Sequence, residues 1–178
     1  METGTLIRRV AVAEGPVVKA VRLRSLEADP SSFASTYARE AAFAEDEWVD
    51  WAAGDASGEE MTTLLAMRGR EPVGLVAAYR DERERNLFHV VAMWVEPEAR
   101  RAGIGRRLLR EIEAWISSSG GNCAQLSVAD RALGALCLYE EAGYRPDGER
   151  SQSPHMPEIS LVSLRKQLSG LDTAGGHS

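Results

Sequence analysis

Val95-Glu96-Pro97-Glu98-Ala99-Arg100-Arg101-Ala102-Gly103-Ile104-Gly105-Arg106-Arg107 is the stretch on which the reading of this chain turns. Before it, residues 86–95 are apolar on both faces except at His89 and are bounded by turn signals, which predicts a central strand. After it, Ile104, Leu108, Ile112 and Trp115/Ile116 recur at helical spacing, with Leu109 widening the stripe, so residues 103–119 read as a strong amphipathic helix. Between the two lies a short loop with glycines. A helix N-terminus presents four unpaired N–H groups and a partial positive charge. Glycines let an anion approach that backbone closely. Arg100, Arg101, Arg106, Arg107 and Arg110 add local charge to an otherwise acidic protein. The sum suits a pyrophosphate-like ligand, although a Gly-x-Gly taken alone reads more readily as a plain turn. A Walker loop needs Gly-Lys-Ser/Thr, and Arg106-Arg107 follows Gly105 instead. A dinucleotide fingerprint needs a third small residue where Leu108 stands.

Working outward, residues 5–13 read as a first strand. Pro16 then suits the first turn of a helix with Val17, Val18, Val21 and Leu26 as its apolar stripe. A second helix is expected within 35–51, followed by a polar loop over 54–60. Residues 61–67 and 73–79 form a hairpin signal across Arg68-Gly69-Arg70-Glu71-Pro72. Beyond the strong helix, residues 123–128 read as a half-polar strand. Asp130 can cap a helix running to about Ala142, with Gly143 at its C-terminus. Residues from Tyr144 and 158–164 read as closing strands. One helix between two strands permits a parallel pair there; the hairpins imply an otherwise antiparallel sheet.

Composition narrows the function classes. The 178 residues suit one domain over 1–168, with a small, polar, disordered tail over 169–178. A net charge of −6 argues against a dedicated nucleic-acid binder. Cys123 and Cys137 have no metal-ligand spacing, and two cysteines are no disulfide scaffold. No stretch approaches the roughly 18 apolar residues of a membrane span. Residues 1–10 lack a signal-peptide core, so a cytoplasmic protein without a membrane partner is expected.

Residues 95–109 resemble the acyl-CoA-binding motif of the GNAT N-acetyltransferase superfamily: a strand, Val-x-Pro, then Arg/Gln-x-x-Gly-x-Gly/Ala and a helix. Arg100, Gly103 and Gly105 match it directly, and Pro97 matches the lead-in. Ala135, Leu138-Tyr139, Gly143 and Tyr144-Arg145-Pro146 resemble the family's Ala-x-x-Leu-Tyr-x-x-x-Gly-Phe/Tyr element. With the element order, the resemblance covers residues 5–166. It implies an α/β fold whose mixed, mostly antiparallel sheet of six or seven strands is flanked by helices. It also implies a parallel strand pair that splays to admit acetyl-CoA as co-substrate, without a metal.

By that resemblance, backbone groups of Met93, Trp94 and Val95 bond the pantetheine arm. Amides of Arg101, Ala102, Gly103, Ile104 and Gly105, with Arg106 beside them and Arg100 in the motif, hold the pyrophosphate. An amine, on a small molecule or a peptide, attacks the thioester directly, and Tyr139 protonates the leaving thiolate. Tyr139 also shares a stripe with Ala132, Ala135 and Leu136, so a plain core tyrosine remains the alternative. The chain departs from the family pattern in two places. Ala132 stands where many members have a cofactor-contacting Asn, and Ser127 where some have a Glu base. The base stays open among water relayed from Gln125 or Ser127, His89, or a helical acid, and His89 reads otherwise as a satisfied core or edge residue. A catalytically silent acyl-CoA sensor, and an acyltransferase with another acyl-CoA or acceptor, are the rival functions. A homodimer stays open. Residues 40–60 hold eight acids and no Lys or Arg, which reads either as a mouth for a cationic amine or as a solvated face.

Overall fold

The computed structural model describes residues 4–168; the expected tail, 169–178, lies outside them. In chain order the elements are β1 (Leu6–Arg9), α1 (Gly15–Ala28), α2 (Tyr37–Ala41), α3 (Glu45–Ser57), β2 (Met61–Arg68), β3 (Glu71–Arg80), β4 (Leu87–Val95), α4 (Ile104–Ser118), β5 (Cys123–Ala129), α5 (Leu133–Glu141), β6 (Arg145–Gln152) and β7 (Ser160–Gln167). The strands form one sheet in the order β1-β2-β3-β4-β5-β7-β6. Every neighbouring pair is antiparallel except β4 and β5. The mixed, helix-flanked sheet expected from the sequence is therefore the fold. Among the described residues no helix is long and apolar enough to cross a membrane, and no three His, Cys, Asp or Glu side chains gather as a metal-holding group.

Two apolar clusters sandwich the sheet. On one side Leu108, Leu109, Ile112 and Ile116 of α4 meet Phe88, Val90 and Val95 of β4, Leu126 and Val128 of β5, and Tyr139 of α5. On the other, Val18, Val21 and Leu26 of α1 and Trp48 and Ala52 of α3 meet Leu65, Met67, Leu75 and Trp94. The strong helix predicted over 103–119 is α4, and its stripe is the buried face.

Three local expectations are corrected. The single helix within 35–51 is two pieces, α2 and α3, and α3 runs on through most of the expected 54–60 loop. Its stripe of Trp48, Ala52 and Asp55 is buried at helical spacing, which overrides the loop-like composition of Gly54-Asp55-Ala56-Ser57. The helix ends only where Gly58 takes a left-handed φ of 64°. Asp130 does not cap α5. The helix starts after Ala132 with no side-chain cap, and the Asp130 carboxylate lies 3.9 Å from Arg150 instead. β1 is also shorter than the expected 5–13, ending at Arg9.

β4 carries the feature that shapes the cleft. Its register against β3 slips between the pairs Leu75↔Trp94 and Ala77↔Val91, and Ala92 has a φ of 55°. That is a β-bulge: one extra residue bends the strand and exchanges its faces. Phe88 and Val90 below the bulge, and Met93 and Val95 above it, all lean toward α4. Ala92 and Trp94 turn toward α1 and α3.

Candidate active site

The parallel pair holds for three rungs, Leu87↔Cys123, Phe88↔Ala124 and His89↔Gln125. Beyond them β4 pairs only with β3, and β5 only with β7. The strands therefore part after His89. A cleft opens between residues 90–95 and 126–129, with unpaired backbone edges on both sides and the first turn of α4 above it.

The loop leading into α4 is built to expose amides. Pro97–Ala99 makes a 3-10 turn closed by Ala99 N–H to Glu96 O. Arg101 and Gly103 then take left-handed φ values of 64° and 74°. Gly103 caps α4 with no side-chain hydrogen bond, and no acid stands in the first turn. Among the described residues, none of the six successive N–H groups from Arg101 to Arg106 donates to a protein acceptor; the first to do so is Arg107, to Gly103 O at 3.0 Å. Six adjacent donors at an uncompensated positive helix end make a cradle of the kind that suits an anion. A side chain at Gly105 would meet Leu138 Cδ2 at 3.2 Å and Met93 Cε at 3.3 Å, so α4, α5 and β4 converge there.

The basic side chains are less free than the sequence implies. Arg100 Nε donates to Val95 O at 2.9 Å and its Nη2 to Asp29 Oδ2 at 2.5 Å, so its guanidinium fastens the loop. Arg106 Nη2 pairs with Glu141 of α5 at 2.7 Å, and Arg107 Nη2 bonds Thr5 O at 2.9 Å. Arg101 and Arg110 are exposed and have no ion pair among the described residues.

Tyr139 is buried on α5, its ring edge-on to Tyr144 with centroids 6.0 Å apart. Burial is the one cause that raises its pKa, well above the ordinary phenol value. The hydroxyl is thus a proton donor that stays protonated at any working pH.

On the sheet face opposite α4, at the last rung before the strands part, His89 Nε2 lies 2.8 Å from Asp81 Oδ2. Its ring packs on Tyr79 at 5.0 Å. The His89 hydrogen bond first, then the Glu84 and Arg83 amides at 2.7 and 2.8 Å, pull the Asp81 carboxyl down to about 2. A groove lined by Met61, Tyr79, Asp81, Arg83 and His89 opens at this point. Gln125, across from His89, spends its Nε2 hydrogens on Ser163 Oγ at 2.8 Å and Asp147 Oδ2 at 3.1 Å. Ser127 is exposed. Sequence reasoning missed Asp81 as the partner of His89. The hairpin register, which sets Tyr79 opposite His89, could have pointed to it. It also missed Asp29, for which no local signal exists.

The acidic segment loses its single character. Glu40 is buried against Arg22, with bonds of 2.8 Å from both Nε and Nη2. Glu45 pairs with Lys19, Glu47 reaches back to the Ala44 amide at 2.8 Å, Asp55 accepts from Trp51 and Thr63, and Glu60 binds Arg80 and Arg85. These five acids are committed to structural partners, and Glu40 and Asp55 are buried, so the segment is not a uniformly solvated face.

The family model described as the acetyltransferase (GNAT) family matches residues 21–144. No curated protein sequence matches the chain. Among solved structures, a GNAT-family acetyltransferase from Streptococcus pneumoniae superposes with a TM-score of 0.79 at 24% identity, over 93% of this chain and 100% of that one. The putative acetyltransferase yncA from Salmonella typhimurium, solved with acetyl-CoA, gives 0.76 at 12%, over 98% and 99%. The paia N-acetyltransferase from Thermoplasma acidophilum, in complex with coenzyme A, gives 0.73 at 14%, over 92% and 99%.

Proposed function

Because the chain belongs to the acetyltransferase (GNAT) family, we propose that it moves the acetyl group of acetyl-CoA onto a primary amine by direct attack within a ternary complex. The observation that carries this reading is the run of six undonated N–H groups from Arg101 to Arg106, set above a cleft between parting parallel strands. The two parts match the two ends of the co-substrate. The amide cradle suits the pyrophosphate, with the exposed Arg101 beside it. The strand edges of 90–94 and 126–129, with Val95 O taken by Arg100, suit the amide-rich pantetheine arm, which can hydrogen-bond to them as a short strand would. Met93, Trp94 and Val95 hold that edge, and the bulge at Ala92 sets its direction.

Two side chains divide the proton work. His89, anchored by Asp81, accepts the proton of the incoming ammonium or of the amine as nitrogen bonds the carbonyl carbon. Asp81 Oδ2 holds the ring through Nε2, which leaves Nδ1 to take the proton. Tyr139 gives its proton to sulfur as the carbon–sulfur bond breaks. A free thiol has a pKa of about 8.5 and a phenol about 10, so burial of Tyr139 alone would work against the transfer. A thiolate released into the same apolar surroundings also becomes more basic, which narrows that gap. The Tyr139 hydroxyl has no protein partner among the described residues to compete for its proton. Cys123 is buried and Cys137 is exposed beside Glu141; burial raises the first thiol and the Glu141 contact the second, so neither is an activated nucleophile.

A thiol-release assay across a panel of amines and acyl-CoAs tests the proposal. Amine-dependent release from acetyl-CoA, with the acetylated amine as product, supports it. Binding of acetyl-CoA without turnover on any amine would instead mark a sensor, and preference for a longer acyl chain would mark another acyltransferase.

A further inference from the structure

Asp29 sits at the C-terminus of α1 and touches the ligand loop, 71 residues away along the chain. Its Oδ2 accepts from Trp94 Nε1 at 2.7 Å and from Arg100 Nη2 at 2.5 Å. Arg100 Nε in turn donates to Val95 O at 2.9 Å. Earlier in α1, Arg24 pairs with Glu96 at 2.8 Å and lies 5.9 Å over the Trp94 ring. The end of α1 therefore grips both flanks of the segment that turns from β4 into the amide cradle. On its far side, Asp29 leads directly into the Pro30–Ser32 turn. From there the chain runs through Phe33, which packs in the α1/α3 cluster, to α2. That cluster covers the sheet face on which His89 lies.

We propose that Asp29 is a positioning residue that holds the amide cradle in shape through Arg100 and Trp94, and that couples occupancy of the cradle to residues 30–43 on the acceptor side. The inference rests on the reading that the cradle binds the pyrophosphate of CoA. Six donors can serve one anion only while their directions converge. One of the residues that set those directions, Arg101, sits in a left-handed conformation that costs a non-glycine residue strain and that a loose loop would not keep. With its Nε and Nη2 engaged, Arg100 spends two of its five N–H donors on the fold rather than on phosphate. Its charge is answered by Asp29, and the fixed loop is what remains for the ligand.

The experiment compares wild type, Asp29→Asn and Trp94→Phe. Calorimetry gives the Kd for CoA, steady-state kinetics gives KM and kcat, and hydrogen exchange with and without CoA gives protection. For Asp29→Asn the expected result is a rise of about five- to tenfold in Kd and in KM for acetyl-CoA, with kcat at saturation within about threefold of wild type. CoA should slow exchange in residues 30–43 of wild type and fail to do so in the variant. Trp94→Phe, which removes one hydrogen bond and keeps an aromatic ring, should shift Kd in the same direction by a smaller factor, and serves alone should Asp29→Asn not fold. A Kd within about twofold of wild type would overturn the positioning role, whatever happens to the thermal midpoint. Full protection of 30–43 in the variant would overturn the coupling. Failure of the wild type to bind CoA would overturn the cofactor reading, and this inference with it.

Discussion

At the scale of single residues the account stands on Tyr139 and His89. Tyr139→Phe keeps the ring that packs against Tyr144 and removes only the hydroxyl. Since that hydroxyl has no hydrogen-bond partner among the described residues, its loss leaves nothing unpaired, and stability should change little. With an amine that the wild type acetylates and with chemistry rate-limiting, kcat should fall about 10²-fold while acetyl-CoA affinity holds. A kcat within about threefold of wild type would return Tyr139 to the core. Burial raises the Tyr139 pKa, so its neutral, donating form persists far into alkali and it contributes no falling limb below that point. In His89→Gln the kcat/KM should fall about 10²-fold, within the range of a lost general base. An unchanged kcat/KM would assign the base elsewhere. Asp81→Asn should lower kcat/KM less than His89→Gln, because it removes the anchor of His89 and leaves the imidazole in place.

At the scale of elements the sequence was most legible where side-chain periodicity and burial agree. The stripe Ile104, Leu108, Ile112, Ile116 predicted α4 because each of those residues is buried against β4 and its neighbours. The β2–β3 hairpin was legible because Gly69 supplies the positive φ of 63° that its two-residue turn requires. The bulge at Ala92 left no such mark. The run 87–95 is apolar on both faces, so a one-residue slip changes which cluster each side chain joins without changing its type. The end of α3 was hidden for a related reason: Asp55 is a buried polar residue held by Trp51 and Thr63, and burial of an aspartate has no sequence signature. Element-level packing also gives Glu40 a structural partner. Glu40 ties α2 to α1 through a buried ion pair with Arg22, whose guanidinium also stacks on Phe33 at 4.8 Å. Glu40→Ala leaves Arg22 buried and unpaired, which should cost about 3–5 kcal/mol of stability. A chemical-denaturation midpoint measures that loss. A variant as stable as wild type would contradict the buried-pair assignment and restore Glu40 to the acidic-mouth reading.

At the scale of the whole molecule the proposed function draws on what two layers leave between them. The α4/α5 layer brings the amide cradle and Tyr139. The α1/α3 layer leaves His89 and its groove open, and the sheet parts along the line where they face each other. The loop into α4 and the parallel pair were readable because strand, loop and helix are contiguous in the chain. Asp29, Asp81 and Glu141 were not, because their partners Arg100, His89 and Arg106 are brought to them only by the fold. The claim that joins these parts is that CoA binds through the backbone from Arg101 to Arg106, with the two glycines keeping that backbone open. A side chain at Gly103 must hold a φ of 74°, and one at Gly105 would press on Leu138 and Met93 at the mouth of the cleft. The most direct test is calorimetric titration of acetyl-CoA into wild type, Gly103→Val and Gly105→Val, each confirmed folded by circular dichroism. The account predicts binding to wild type and an affinity at least about tenfold weaker in both variants, about 1.4 kcal/mol or more; equal affinity in folded variants would contradict it.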